Sequence, residues 1–284
     1  MVLESLRMRR FAVGSMIVAF VLLYSRVFVE LVRNWIRDDN YSHGFVVLPV
    51  VAYLVWRQRE RLAATERRPA MVGLPIMVLS LAMLLVGTAG VEFFLMRTSA
   101  IGFVTGCVLF LAGWRWLRVL MFPLGFALLM IPLPAIIFYQ MAFPLQLLAT
   151  RFGVAVLEIA RIPVLREGNL IILTRTTLEV AEACSGIRSL VSLFALALLY
   201  GYFVDPRPGA RVAIALSSVP IAIVANGVRV AGTGIAAHYI GPAAASGFLH
   251  EFSGSVVFAA SFLLLLGVTG LMKLAGPRLT QATA

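Results

Sequence analysis

The chain has 284 residues, of which 61% are hydrophobic and 13% charged, and its formal net charge is +11. Soluble domains carry about 25% charged residues and few long apolar runs, so a soluble fold is excluded and a polytopic membrane protein is indicated. The positive balance does not imply nucleic acid as a partner, because most cations sit in short stretches between apolar runs, which is the pattern of the positive-inside rule.

A membrane-spanning helix takes about 20 apolar residues. In chain order the spans are expected at Phe11–Val29, Gly44–Trp56, Ala70–Gly90, Thr98–Trp114 and Val119–Phe138, then Gly186–Phe203, Val212–His238 and Ser253–Leu274. The second has the shortest apolar stretch. Arg7, Arg9 and Arg10 precede the first, as in the charged start of a signal peptide, but no small-residue cleavage site follows, so an uncleaved anchor is expected.

Orientation follows from the arginines. Five lie in "RQRERLAATERR" between the second and third spans, "RWLR" and "DPRPGAR" fill two further loops of the same side, and Lys273 with Arg278 follows the last span. Both termini are therefore expected in the cytoplasm of a multi-pass protein of the cell (inner) membrane. About 139–183 then becomes an extracytoplasmic segment. Its first half mixes apolar positions with Gln146, Arg151, Glu158 and Arg161, as in a helix lying on the membrane or packed across the bundle. Its second half places turn residues, "REGN" and "TRTT", between β-prone pieces. The expected fold is an all-α polytopic integral membrane protein of about eight transmembrane helices. A small helix-plus-hairpin insertion precedes the sixth span, within one domain over 1–284.

Three polar residues of the outer side are not explained by lipid. Cys184 opens the sixth span, Arg229 lies inside the seventh and His250 begins the eighth. A membrane cysteine is usually a small apolar filler, which is the reading for Cys107. Cys184 differs, having Glu182, Ser185 and Gly186 as neighbours. A buried arginine costs at least ~2.5–3.5 kcal/mol at the bilayer centre and so calls for a reason.

Chemistry joins the three. A thiolate is favoured at a helix N-terminus, where unpaired N–H groups present positive charge. An imidazole can take the thiol proton and return it to a leaving amine. A guanidinium, permanently charged, can hold an oxyanion. Asn226 stands one turn before Arg229 on the same face, to orient it or to bind substrate, and Arg188 adds positive potential near the thiol. No metal site or cofactor is expected, since three histidines in three segments lack the close spacing of zinc ligands.

"EACSGIRS" at Glu182–Ser189, "ANGVRV" at Ala225–Val230 and "HEFSG" at His250–Gly254 resemble the exosortase and archaeosortase family, membrane cysteine transpeptidases and proteases. "YSHGFVVLPVVAYLVW" and the "IPLP" and "REGN…LEVAEACSG" stretches extend the resemblance over most of the chain. It implies Cys184 as nucleophile, with Arg229 and His250 as its catalytic partners. It also implies substrates with a C-terminal sorting signal: a Pro-Glu-Pro-type motif, a helix and a basic tail. The cleaved protein would pass to a glycan or lipid-linked acceptor, or to water, at the outer face of the membrane. By the same analogy, His43 with Ser42 lines the way in for substrate or supports the site. Glu182 and Glu251 flank the catalytic candidates and could orient His250 or Arg229, and Ser185 is a further supporting candidate. A non-enzymatic transporter or a scaffold for envelope polysaccharide assembly is the competing reading. It is disfavoured because the polar residues gather at one face and no internal repeat is visible.

Overall fold

A bilayer leaves no water for exposed backbone groups, and helices, which satisfy theirs internally, dominate the chain. The computed structural model describes the backbone of residues 2–174, 176–180, 186–241 and 248–281. Side chains are described for these residues except 2–13, 248–253 and 275–281. The chain divides into two units, Met1–Pro134 and Ala135–Ala284.

The first unit contains α1 (Val2–Arg37), α2 (Gly44–Arg57), α3 (Arg59–Ala64), α4 (Gly73–Ala89), α5 (Phe93–Ala112) and α6 (Trp114–Ala127). Between α4 and α5 the backbones approach through small residues, as lipid-embedded helices do when packing rather than hydrophobicity drives association. A Cβ on Gly106 would stand 2.7 Å from Met77 Cγ, and one on Gly87 would stand 2.8 Å from Met96 Cγ. Tyr24 of α1 shares a buried hydrogen bond with Ser99 of α5 at 3.1 Å.

Gly113, with φ +83°, reverses α5 into α6 where any side chain would overlap the Arg68 carbonyl. At that end Glu66 accepts from Arg68 (3.0 Å) and Arg115 (3.1 Å), and Trp116 donates to the Thr65 carbonyl (3.0 Å). At the opposite end a short 3-10 turn, Leu128–Met130, prolongs α6. Its carbonyls, orphaned by the helix end, are taken up by side chains from other segments. Trp35 Nε1 donates to Met130 O at 2.9 Å, and His43 Nε2 bonds Leu129 O at 3.0 Å.

The second unit contains α7 (Ala135–Ile159), α8 (Ile187–Val204), α9 (Pro208–Tyr239) and α10 (Phe248–Gln281). Between α7 and α8 stands a three-stranded antiparallel meander: β1 (Val164–Glu167), β2 (Leu170–Leu173) and β3 (Thr177–Glu179). Its register pairs Glu167 with Leu170 and Leu170 with Glu179. Gly168, φ +61°, opens the two-residue turn between β1 and β2, where a positive φ at the first position suits the strands' twist.

Side chains alternate along β2, so Ile171 and Leu173 turn inward while Leu170 and Ile172 stay half-covered. The inward pair joins Ala149 and Leu157 of α7 and Val230 and Ala237 of α9 in one buried cluster. Along the α7–α9 seam, Gly227 faces Phe152, Gly153 faces Val230 and Gly234 faces Leu157. The contacts advance together on both helices, so α7 and α9 run parallel. Beyond α8, Asp205 accepts from Arg207 N (2.8 Å), Nε (3.1 Å) and Nη2 (2.8 Å), which holds its carboxyl down at a pKa of about 2. Pro208 then starts α9 at a position where no N–H is needed.

Among the described residues, six helices are long and apolar enough to cross a membrane: Gly14–Arg37 within α1, then α5, α7, α8, α9 and Gly254–Leu274 within α10. The stretch Gly73–Ala89 is apolar but shorter. α2 and α6 have 14 residues each; that is about 21 Å at 1.5 Å per residue, less than the roughly 30 Å hydrocarbon core.

Two boundaries differ from the sequence expectation. The run Val119–Phe138 is not one helix: Pro132 and Pro134 remove donors and disfavour helix before them, so α6 and its 3-10 extension stop at Met130 and α7 begins at Ala135. The segment 139–183 begins inside α7, a continuous helix packed lengthwise on α9 and itself among the candidate spans. Its polar residues are sorted by face. Gln146 and Thr150 are buried, with Thr150 Oγ1 donating to Gln146 O at 2.7 Å, whereas Arg151 is exposed.

Candidate active site

Asn226 and Arg229 stand three residues apart on α9 and therefore share a face. Asn226 is buried and Arg229 half-buried. Two glycines bring neighbouring helices onto this turn. Gly186, the residue before α8, has φ +75° and ψ 0°, and a Cβ there would lie 2.7 Å from Asn226 Cγ. Both the left-handed backbone and the lack of space demand glycine. From the other direction Gly254 of α10 approaches the guanidinium, its Cβ position 3.5 Å from both Arg229 Cζ and Nη2. The beginnings of α8 and α10 thus converge on one turn of α9.

The sheet reaches the same place. A small cavity of about 30 Å³, room for a water molecule, is lined by Glu179, Val180, Arg229 and Thr233, with Ile171 beneath. Thr233 Oγ1 donates to Arg229 O at 2.9 Å. Val180 is fixed by Asn169: its N–H donates to Asn169 O at 3.0 Å, and Asn169 Nδ2 donates to Val180 O at 3.4 Å. Val180 thus lies on the Arg229 cavity and Gly186 on Asn226.

Of the residues singled out from the sequence, Glu182, Cys184 and Ser185 lie outside the described residues. His250 and Glu251 belong to the opening turns of α10, and their side chains also lie outside the description. Arg229 and Asn226 meet the helix starts as above. Arg188 is on the first turn of α8 and exposed. His43 belongs to the first unit, where it precedes α2 and is bonded to Leu129 O at 3.0 Å. Burial holds its pKa below the usual imidazole value, against the opposing effect of its bonds to the Leu129 and Asn40 backbone. Cys107 of α5 is half-buried against an aromatic and aliphatic cluster around Tyr24 and Phe103, as a filler would be. Among the described residues, no three of His, Cys, Asp and Glu form a group that would hold a metal ion.

Sequence reasoning gave no role to Gly186, Gly254, Glu179 or Thr233. For the glycines a signal was present, since each sits within a few residues of a candidate catalytic residue at the start of an apolar run. For Glu179 and Thr233 there was none, because only the sheet's docking onto α9 brings them to Arg229. Arg97 directly precedes the expected fourth span, Thr98–Trp114, yet it lies within α5 and is only 4% exposed.

The family model of the transmembrane exosortases (Exosortase_EpsH) matches residues 35–267. That match takes in α2 through most of α10, including every residue of the convergence on α9. No curated protein and no solved structure gives a significant match. With most of its length accounted for by that one family model, the chain belongs to the transmembrane exosortase family.

Proposed function

We propose that the protein is a membrane-embedded cysteine peptidase or transpeptidase that cleaves C-terminal sorting signals of exported proteins, with Cys184 as nucleophile. Family membership supports the general class, a membrane transpeptidase concerned with protein sorting. The observation that carries the residue assignment is the packing of Gly186 on Asn226 and of Gly254 on Arg229. Cys184 is two residues before Gly186 in the chain. His250 is four residues before Gly254 on α10, one helical turn from the residue that faces the guanidinium.

In the proposed reaction His250 removes the Cys184 proton and the sulfur attacks the scissile carbonyl carbon. The carbonyl oxygen takes up negative charge, which the Arg229 guanidinium stabilises with donors that need no reorganisation. Collapse of this intermediate breaks the C–N bond. The proton held by His250 goes to the leaving amine, and a thioester remains on Cys184. An acceptor hydroxyl or amine, or water, then gives its proton to His250, attacks the thioester and releases the thiol. Asn226, one turn from Arg229, fixes the position of that turn against α8.

The site is assigned to the extracytoplasmic face, with both termini cytoplasmic. Arg207, just before α9, Arg211 of its first turn, and Lys273, whose charge acts on Asp205, gather at the end of the second unit away from Gly186 and Gly254. A substrate whose basic tail is retained in the cytoplasm presents its cleavage motif at the opposite boundary. The test is processing of a reporter ending in a Pro-Glu-Pro motif, a transmembrane helix and a basic tail. Cys184→Ala leaves it full length in membranes while Cys107→Ala matures it normally. A mature reporter in the Cys184→Ala strain overturns the assignment.

A further inference from the structure

The first unit has a groove of about 490 Å³ between α1, α4 and α5. Its walls are mostly hydrocarbon, from residues such as Leu84, Leu85 and Met96, but Arg26, Glu30 and Arg97 also line it. We propose that this groove binds an anionic phospholipid, the headgroup phosphate resting on Arg97 and Arg26 and the acyl chains on the apolar walls.

Arg97 is the central observation. It is 4% exposed, lies in a span and has an Nε buried without a hydrogen-bond partner among the described residues. The other side of its guanidinium is occupied. Asn34, with its amide turned to donate to Glu30 O (3.2 Å), accepts from Arg97 Nη2 at 3.0 Å, and the Phe93 ring centroid lies 5.4 Å from Cζ.

The charges of Glu30 and Glu92 reach Arg97, but the bonds of both carboxylates go to other groups. Glu30 forms an ion pair with Arg33, and Glu92 caps α5 by accepting from Phe94 N (3.4 Å) and Leu95 N (2.6 Å). Arg26 is exposed on α1, one turn before Glu30, so two guanidiniums, Arg26 and Arg97, and one carboxylate already paired with Arg33 line the groove. A buried guanidinium with a free donor calls for an anion, and phosphate matches its fork of N–H groups. The apolar walls distinguish a lipid phosphate from a free one, since a soluble anion leaves them uncovered. The inference stands apart from the proposed catalytic function and does not depend on it.

The test is native mass spectrometry of the whole protein in mild detergent, offered equal amounts of phosphatidylglycerol and phosphatidylcholine with the same chains. Wild type is expected to retain phosphatidylglycerol about tenfold over phosphatidylcholine, and Arg97→Gln and Arg26→Gln are each expected to bring the two near parity. Should Arg97→Gln fail to fold, Arg26→Gln, at an exposed position, decides the matter. Parity in wild type, or a preference that survives Arg26→Gln, overturns the proposal. So does inorganic phosphate bound by wild type as tightly as phosphatidylglycerol.

Discussion

Replacing Gly186 by alanine makes two separable demands on the structure. The backbone there is left-handed, φ +75°, which raises the energy of any residue with a Cβ by roughly 1–2 kcal/mol. The new methyl would also stand 2.7 Å from Asn226 Cγ and 2.8 Å from its Cβ, a forced overlap that in a packed interior costs about 1–3 kcal/mol. Gly186→Ala should therefore destabilise the protein by about 2–5 kcal/mol, read as a shift in an SDS titration of the detergent-solubilised protein. Asn226→Ala removes the overlapping Cγ and amide but keeps the Cβ at 2.8 Å and the backbone strain. In the double variant the loss should be smaller than the two single losses together by about 1 kcal/mol, the part of the overlap that the Cγ and amide contribute. A Gly186→Ala protein as stable as wild type would refute the close approach of α8 to α9. Strict additivity with Asn226→Ala would show that the two residues do not meet.

Two further outcomes follow from contacts at the site and at the first unit's helix ends. Gly254→Leu fills the space against Arg229 Cζ, 3.5 Å from the Cβ position, and should displace the guanidinium, abolishing reporter processing with little loss of folded protein. Gly254→Ala, an ordinary contact, should process normally and gain up to about 1 kcal/mol of helix stability. His43 is held neutral by burial, its pKa below the unfolded value of about 6.5. The unfolded chain then binds the extra proton, so stability should fall as pH drops below about 6.5 and be unaffected above it. Thermal unfolding between pH 7.5 and 5.5 (about one unit either side of 6.5) should show that slope in wild type, and a shallower one in His43→Gln.

Much of the architecture can be read from hydropathy alone, because a bilayer forces long apolar runs to be helical whatever their partners. That is why the expected starts at Gly44 and Gly186 and the end at His238 fall within a residue of observed helix boundaries. α7 was obscured for the opposite reason. Gln146, Arg151 and Glu158 lower its average, and only tertiary packing shows that Gln146 turns toward protein. The break at Pro132 and Pro134 is chemically legible but sits in a run so apolar that hydropathy passes over it.

At the site, Arg229 stood out because a cation in a span has a known penalty. Gly186 did not, since the need for glycine arises from Asn226, forty residues later, and from a φ that no local pattern specifies. Arg97 just outside the expected fourth span shows how far a span boundary can mislead about burial. It lies only four residues into α5, yet is covered almost completely by its neighbours.

The proposed reaction turns on a covalent intermediate at the Cys184 sulfur. The direct measurement is peptide mass spectrometry of wild-type protein quenched during turnover of the sorting-signal reporter. The account predicts a reporter fragment joined through its new C-terminus to the peptide carrying Cys184 and released by neutral hydroxylamine, as a thioester is. Turnover with that peptide unmodified throughout, or an adduct carried by Cys107 or another residue, would contradict it.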